Sequence, residues 1–172
     1  MVHNVSSGCV NNRKGFIEYQ EEDTWGVTKN TSDHYSGRPR GARALISPSM
    51  LGTGSDASSY LLPPGWDELP SGNRGRAHLV ARQLGGSGKD ARNIVAMFQR
   101  TANSPAMSSC ESKIAAAVKN GECVDLIVTA NYSSDDPKPI SVTIKANGDR
   151  GCFSLSVTIS NSKTAATPSA CK

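Results

Sequence analysis

The sequence predicts a single α+β domain, and three observations support this class. The chain has 172 residues, which suits one domain whose core needs neither metals nor disulfides. Apolar residues recur at three- and four-residue steps over residues 104–119, as in an amphipathic helix. Alternating apolar runs follow at residues 124–132, 140–146 and 152–160, and they predict an antiparallel meander.

The chain is expected to divide into a main domain over residues 37–161 and two smaller end segments. Residues 1–36 are polar and predict a decorated edge with one strand at residues 15–20. Residues 162–172 are rich in Ser, Thr and Ala, so we expect a loose tail unless Cys171 ties it down.

Within the main domain, residues 44–46 predict a strand, and a long Gly-, Pro- and Ser-rich connection follows it. The helix near residue 110 has clear end signals. Ser104 is a suitable N-cap, Pro105 fits the first turn, and Asn120-Gly121 is a stop signal.

Positive charge is concentrated in one segment. The net charge of the chain is +4, but residues 74–100 carry +5 and the remainder carries −1. Localised cations of this kind bind phosphates without regard to base sequence. A solvated basic face is the alternative, and the motif within the segment favours the binding surface.

The motif is Arg74-Gly75-Arg76-Ala77-His78-Leu79, followed by Asn103 and Glu111. Phosphodiester cleavage needs a base that deprotonates water, a divalent cation and fixed positive charges. This segment contains candidates for all three.

The ordered matches to a known family extend beyond this motif. They are Pro63-Pro64-Gly65-Trp66, His78-Leu79-Val80-Ala81-Arg82-Gln83-Leu84-Gly85-Gly86-Ser87-Gly88, Asn93-Ile94-Val95, and Asn103-Ser104-Pro105-Ala106-Met107 with Glu111. In this order they resemble the DNA/RNA non-specific endonucleases, the ββα-metal nucleases, and most closely the compact bacterial branch often found as toxin domains. The resemblance covers about residues 37–161 and implies a ββα-metal fold with a sheet meander and a metal-site helix.

The resemblance also implies roles for individual residues. His78 would be the general base, and Asn103 the sole protein ligand of a Mg²⁺ that Mn²⁺ can replace. Glu111 would orient water at the metal. Arg76 is assigned to catalysis, although either Arg74 or Arg76 would satisfy the phosphate contact.

Arginine neighbours are expected to lower the pKa of His78 and keep the imidazole neutral.

Five further positions are candidates for substrate binding. Asn93 begins the Asn-Ile-Val element, where fixing the loop is the more favoured role. Arg100 fits either a phosphate contact or a solvent-facing position. The full candidate set is Arg74, Arg82, Asn93, Gln99 and Arg100.

Two departures from the family pattern leave a second hypothesis open. Gly75 replaces the acidic residue of the Asp-Arg-Gly-His version, and Ala77 replaces the glycine, which adopts positive φ more cheaply than alanine. The second hypothesis is a non-catalytic nucleic-acid-binding module, and a third is a disulfide-bearing extracellular adhesion domain. The glycine turn at residues 85–88 lacks the spacing of a P-loop.

The first hypothesis is therefore a Mg²⁺-dependent, sequence-nonspecific endonuclease that acts on DNA, with RNA as a further substrate.

The five cysteines lack zinc-ligand spacing, so we expect either one or two disulfides or buried thiols. We expect a secreted protein or one delivered into a target cell, with no membrane association. An acidic inhibitor or immunity protein would complement the basic segment.

Overall fold

The computed structural model describes residues 8–23 and 37–172. Within these residues, two antiparallel sheets and one three-turn helix are joined by loops and single helical turns. The main elements in chain order are β1 (Phe16–Tyr19), β2 (Gly41–Ile46), β3 (Arg74–His78), β4 (Ile94–Phe98), α1 (Ser108–Lys119), β5 (Val124–Asn131), β6 (Ser141–Gly148) and β7 (Ser154–Ser160).

The larger sheet has five strands in the order β1-β2-β5-β6-β7, and every pairing is antiparallel. The predicted meander is confirmed as β5, β6 and β7. Residues along β5 alternate between buried and more exposed positions, because successive side chains of a strand point to opposite faces. Its buried face packs against the rest of the core.

The smaller sheet pairs β3 with β4, with Arg74 opposite Phe98 and His78 opposite Ile94. The chain then passes through an irregular helical segment, Gln99–Met107, which we call the entry segment, and continues into α1. This strand pair and helix form the ββα unit that the sequence predicted. The α+β class is also confirmed.

One hydrophobic core joins both sheets and α1. Burying one large aliphatic side chain, such as Leu, Ile or Met, contributes about 1.5–3 kcal/mol, so the core holds the ββα unit firmly on the large sheet. Its largest fully buried members include Met97 from β4, Ile114 from α1, Leu126 from β5 and Ile144 from β6. Among the described residues, no helix combines the length and the apolar character needed to cross a membrane.

The predicted start of the helix was wrong. The α-helix begins at Ser108, and its N-terminus has no side-chain cap. Ser104 (φ −140°, ψ 121°) lies inside the entry segment, and the N-cap position of the helix is occupied by Met107, so the predicted cap at Ser104 is not formed. The helix is followed by Asn120 and by Gly121, which has a positive φ of 102°, as the stop signal predicted.

The strand expected at residues 15–20 is confirmed as β1, which pairs along β2 as an edge strand. The N-terminal segment therefore contributes to the large sheet. The rest of that prediction concerns residues 1–7 and 24–36, which lie outside the described part of the chain.

Two disulfides connect distant parts of the chain. Cys9 is bonded to Cys123, and Cys110 in α1 is bonded to Cys171 in the C-terminal segment. Cys152 is an exposed free thiol. Cys171 thus ties the tail to the first turn of α1.

We expect the Cys110→Ser/Cys171→Ser double variant to lose about 2–5 kcal/mol of unfolding free energy, because the unfolded chain is no longer cross-linked. Urea denaturation under non-reducing conditions would measure the loss. The matched control is Cys152→Ser, which removes an exposed thiol and should change the free energy by less than about 0.5 kcal/mol. Equal stabilities for the double variant and the control would contradict the structural role of the bond.

Candidate active site

The alternation of β3 sorts its residues onto two faces. Arg74, Arg76 and His78 are partly buried and share one face, whereas Gly75 and Ala77 are buried on the other. Ala77 is opposite Val95 in regular pairing and is not among the described residues with positive φ. The alanine at this position therefore brings no backbone strain, and its methyl group fills the core.

His78 is the last residue of β3. Its Nε2 lies 2.8 Å from the backbone carbonyl oxygen of Ser55. Because a carbonyl only accepts, we assign the proton to Nε2, and Nδ1 keeps a lone pair. In this tautomer Nδ1 is the ring nitrogen that can accept a proton.

Burial lowers the pKa of His78 below its ordinary value, and Arg82 lowers it further. The hydrogen bond to Ser55 and the charge of Asp56 act in the opposite direction. The sequence predicted the direction correctly but assigned it to arginine neighbours, whereas desolvation is the largest cause. The imidazole is therefore neutral near neutral pH.

The Ser55 carbonyl is held in place by the glycine turn at residues 85–88. Ser55 N donates to the carbonyl of Gly86 at 3.1 Å, and Gly88 N donates to Ser55 Oγ at 2.9 Å. A side chain at Gly86 would overlap the carbonyl of Val80, and one at Gly88 would overlap the carbonyl of Asp56. Glycine is needed here because the two backbone segments lie in direct contact.

Asn93 supports the same turn from beneath. Its side chain is fully buried, accepts from Val80 N at 2.8 Å, and donates to the carbonyls of Val80 and Ser87. With no exposed surface and these bonds made, the side chain holds the loop and does not reach a substrate. The prediction that Asn93 binds substrate was therefore wrong, and its role is to hold the loop.

The two arginines of the motif lie over one aromatic ring. The Cζ atom of Arg76 is 4.2 Å from the centroid of Trp66, and that of Arg74 is 4.7 Å from it. Arg76 also donates to the backbone carbonyls of Ser59 and Leu61. Its guanidinium thus fixes the loop beside β3. Arg74 has fewer contacts, namely the ring of Trp66 and a 3.7 Å ion pair with Asp67.

Arg82 and Arg100 are exposed beside the ββα unit. Arg82 forms a 3.0 Å ion pair with Asp56, and both side chains are largely open to solvent. The backbone of Arg100 is held on both sides by the side chain of Asn73. Sequence reasoning missed Asn73 and Ser55, since neither residue type marks such a role.

Asn103 lies in the entry segment, where Nδ2 donates to Oε1 of Gln99 at 2.9 Å. Among the described residues no donor contacts Asn103 Oδ1, so this oxygen is available as a ligand. The predicted cap at Ser104 would have placed Asn103 directly before the helix that carries Glu111. The extended backbone at Ser104 separates them, and Glu111 is instead in the first turn of α1.

Glu111 is the clearest electrostatic anomaly of the site. Burial raises its pKa to about 7, and no hydrogen-bond donor in the described part of the chain contacts its carboxylate. A desolvated carboxylate without a partner and a free amide oxygen suit a hard divalent cation, which prefers oxygen ligands. These two residues therefore fit the metal that the sequence predicted.

The strand pair, the helix and the polar residues on β3 and the entry segment are the arrangement of a ββα-metal nuclease. The chain is accordingly a nuclease, a hydrolase of phosphodiester bonds. It belongs to the DNA/RNA non-specific endonuclease family, whose model matches residues 18–149.

Solved structures of nucleases share this fold. NucA from Streptococcus agalactiae with a bound magnesium ion has a TM-score of 0.71 at 19% identity, over 90% of this chain and 76% of that chain. The Sda1 nuclease with a bound zinc ion gives 0.69 at 19% identity, over 86% and 75%. A protein described as an extracellular nuclease gives 0.57 at 18% identity, over 87% and 85%. A comparison with curated protein sequences found no match.

The raised pKa of Glu111 predicts how stability depends on pH in the metal-free protein. The folded state keeps a proton that the unfolded chain releases between pH 4.5 and about 7, so the unfolding free energy falls as pH rises through this window. Glu111→Gln removes this dependence. In EDTA the variant should match the wild type near pH 4.5 and be more stable at pH 8.

Urea denaturation at the two pH values measures the difference. Glu18→Gln, on the exposed side of β1, is the matched control. The interpretation of Glu111 is wrong if both glutamine variants follow the wild-type pH dependence.

Proposed function

We propose that this nuclease is a Mg²⁺-dependent, sequence-nonspecific endonuclease that cuts DNA and RNA, with His78 as its general base. The observation that carries the proposal is the hydrogen bond between His78 Nε2 and the Ser55 carbonyl. It fixes the ring and leaves the basic nitrogen, Nδ1, free. Burial keeps that nitrogen unprotonated near neutral pH.

In the proposed reaction, Nδ1 of His78 accepts a proton from water as the water oxygen attacks phosphorus. The new P–O bond forms in line with the bond to the leaving 3′ oxygen, which breaks, so the product carries a 5′ phosphate. A Mg²⁺ held by Asn103 would neutralise charge on the scissile phosphate and the leaving oxygen. Glu111 would accept hydrogen bonds from water at the site and hold it in position.

The arginines have different proposed roles. Arg76 is a positioning residue, because its guanidinium is used on Trp66 and on two backbone carbonyls. Arg74, Arg82 and Arg100 would contact phosphates. No element in the described residues is suited to reading base edges in a groove, so backbone contacts are expected to dominate and binding should be independent of sequence.

We also propose that the protein acts outside the cell that makes it, by secretion or by delivery into a competitor as a toxin. Two disulfides suit an oxidising compartment, and two of the similar structures are described as extracellular nucleases. An acidic inhibitor covering the basic segment would protect the producing cell.

The first test measures nicking of supercoiled plasmid in Mg²⁺, in EDTA, and in Mg²⁺ with His78→Ala. General-base assistance contributes about 10²–10⁴-fold, so His78→Ala should lose at least about 100-fold of the rate. Added imidazole should restore part of it, since the small base can occupy the space left by the ring. If the wild type binds plasmid at low salt without cutting it, the protein is a binding module and the proposal is wrong.

A second prediction concerns Arg82. Arg82→Ala should raise KM for DNA, and the slope of log KM against log salt concentration should fall by about 1, because one phosphate contact is lost. Lys145→Ala removes an exposed charge from β6 and serves as the control. An unchanged salt slope for Arg82→Ala would remove this residue from the substrate surface.

A further inference from the structure

The side chain of Gln99, in the entry segment, occupies the space that a side chain at Gly75 of β3 would fill. Gly75 is buried at the second position of β3, opposite Met97, and Gln99 follows directly after the end of β4. A Cβ atom added at Gly75 would overlap Oε1 of Gln99. A side chain at position 75 would therefore require the exposed end of the Gln99 side chain to move from its present position.

The same oxygen atom of Gln99 holds the proposed metal ligand. Oε1 accepts a hydrogen bond from Nδ2 of Asn103 at 2.9 Å. An amide has one donor side and one acceptor side, so fixing Nδ2 also fixes where Oδ1 points. Among the described residues, this is the hydrogen bond that opposes exchange of O and N by rotation of the Asn103 amide.

The backbone near Gln99 is also held. Gln99 N donates to the carbonyl of Asn73 at 3.4 Å, and Arg100 N donates to Asn73 Oδ1 at 2.6 Å. The backbone of Gln99 is therefore fixed. Its side chain can extend across β3 because Gly75 has no side chain there.

We infer that Gln99 is a positioning residue for the metal ligand Asn103, and that Gly75 makes the space in which Gln99 works. The inference rests on the proposed function. It gives a physical reason for the glycine that stands where the Asp-Arg-Gly-His pattern has an acid. Gly75 and Gln99 therefore act together. The glycine leaves the space, and the glutamine in that space holds Asn103 at the proposed metal site.

The test is a double-mutant cycle read out by Mg²⁺ affinity of the protein without nucleic acid, measured by titration calorimetry. Removing a residue that orients a metal ligand typically costs about 10–100-fold in affinity. We expect a loss of this size for Gln99→Ala, and also for Gly75→Ala, whose methyl group displaces Gln99. The double variant should be no worse than either single variant, because both changes remove the same contact.

Matched variants separate positioning from general damage. Gln99→Leu keeps the shape but lacks an acceptor and should lose affinity, whereas Gln99→Glu keeps an acceptor and should bind Mg²⁺ better than Gln99→Leu. Gly72→Ala, at a glycine with nothing near its added methyl group, and Gln20→Ala, at an exposed glutamine, should leave affinity unchanged. Melting temperatures in EDTA establish that each variant is folded.

The outcomes are distinct. A wild type that neither binds Mg²⁺ nor cuts DNA would overturn the proposed function itself. A wild type that does both, with folded Gln99→Ala and Gly75→Ala that bind Mg²⁺ equally well, would overturn only the positioning role. Additive losses in the double variant would likewise show that the two residues act separately.

Discussion

The hydrogen bond from His78 Nε2 to the Ser55 carbonyl is the interaction on which the site depends. A backbone carbonyl can orient the imidazole ring only if the backbone itself is rigid. Here the rigidity comes from the glycine turn at residues 85–88, which packs against the Ser55 segment without intervening side chains. Asn93 holds this turn from the core side, and the hydroxyl of Tyr19 accepts from Ser87 N at 2.9 Å. Tyr19 on the edge strand β1 thus helps to hold the turn, and the turn holds the carbonyl that fixes the tautomer of His78.

The second half of the site is built on an irregular backbone. A continuous helix would have spaced Asn103 and Glu111 by about two turns, roughly 12 Å of rise. The extended residue Ser104 breaks that geometry, so the amide and the carboxylate come from two separately anchored pieces. Arg100 and Gln99 anchor the first piece to Asn73. The bond between Cys110 and Cys171 anchors the second piece next to Glu111.

Much of the fold could be predicted because its signals are local. The meander, β1 and the end of α1 follow from period-two alternation, a short apolar strand and a positive-φ glycine. The start of α1 was predicted too early, because Ser104 and Pro105 match an N-terminal signal although the α-helix itself begins only at Ser108. The extended conformation of Ser104 is the one that a following proline favours. The candidate residues His78, Asn103 and Glu111 were chosen because the order of motifs in the chain resembles that of the family, and their roles stay predictions. Their supports were not found from the sequence, because Ser55 acts through a carbonyl that any residue would supply, and Gln99 meets Gly75 only through strand pairing.

The central claim is that a carbonyl-clamped His78 faces a metal held by Asn103. A crystal structure with Mn²⁺ and a short DNA strand, phased on the anomalous signal of the metal, tests it most directly. We predict one anomalous peak bonded to Oδ1 of Asn103, with His78 Nε2 still on the Ser55 carbonyl and Nδ1 directed at the scissile phosphate. A metal peak on other ligands, or a His78 ring turned away from Ser55, would contradict the account.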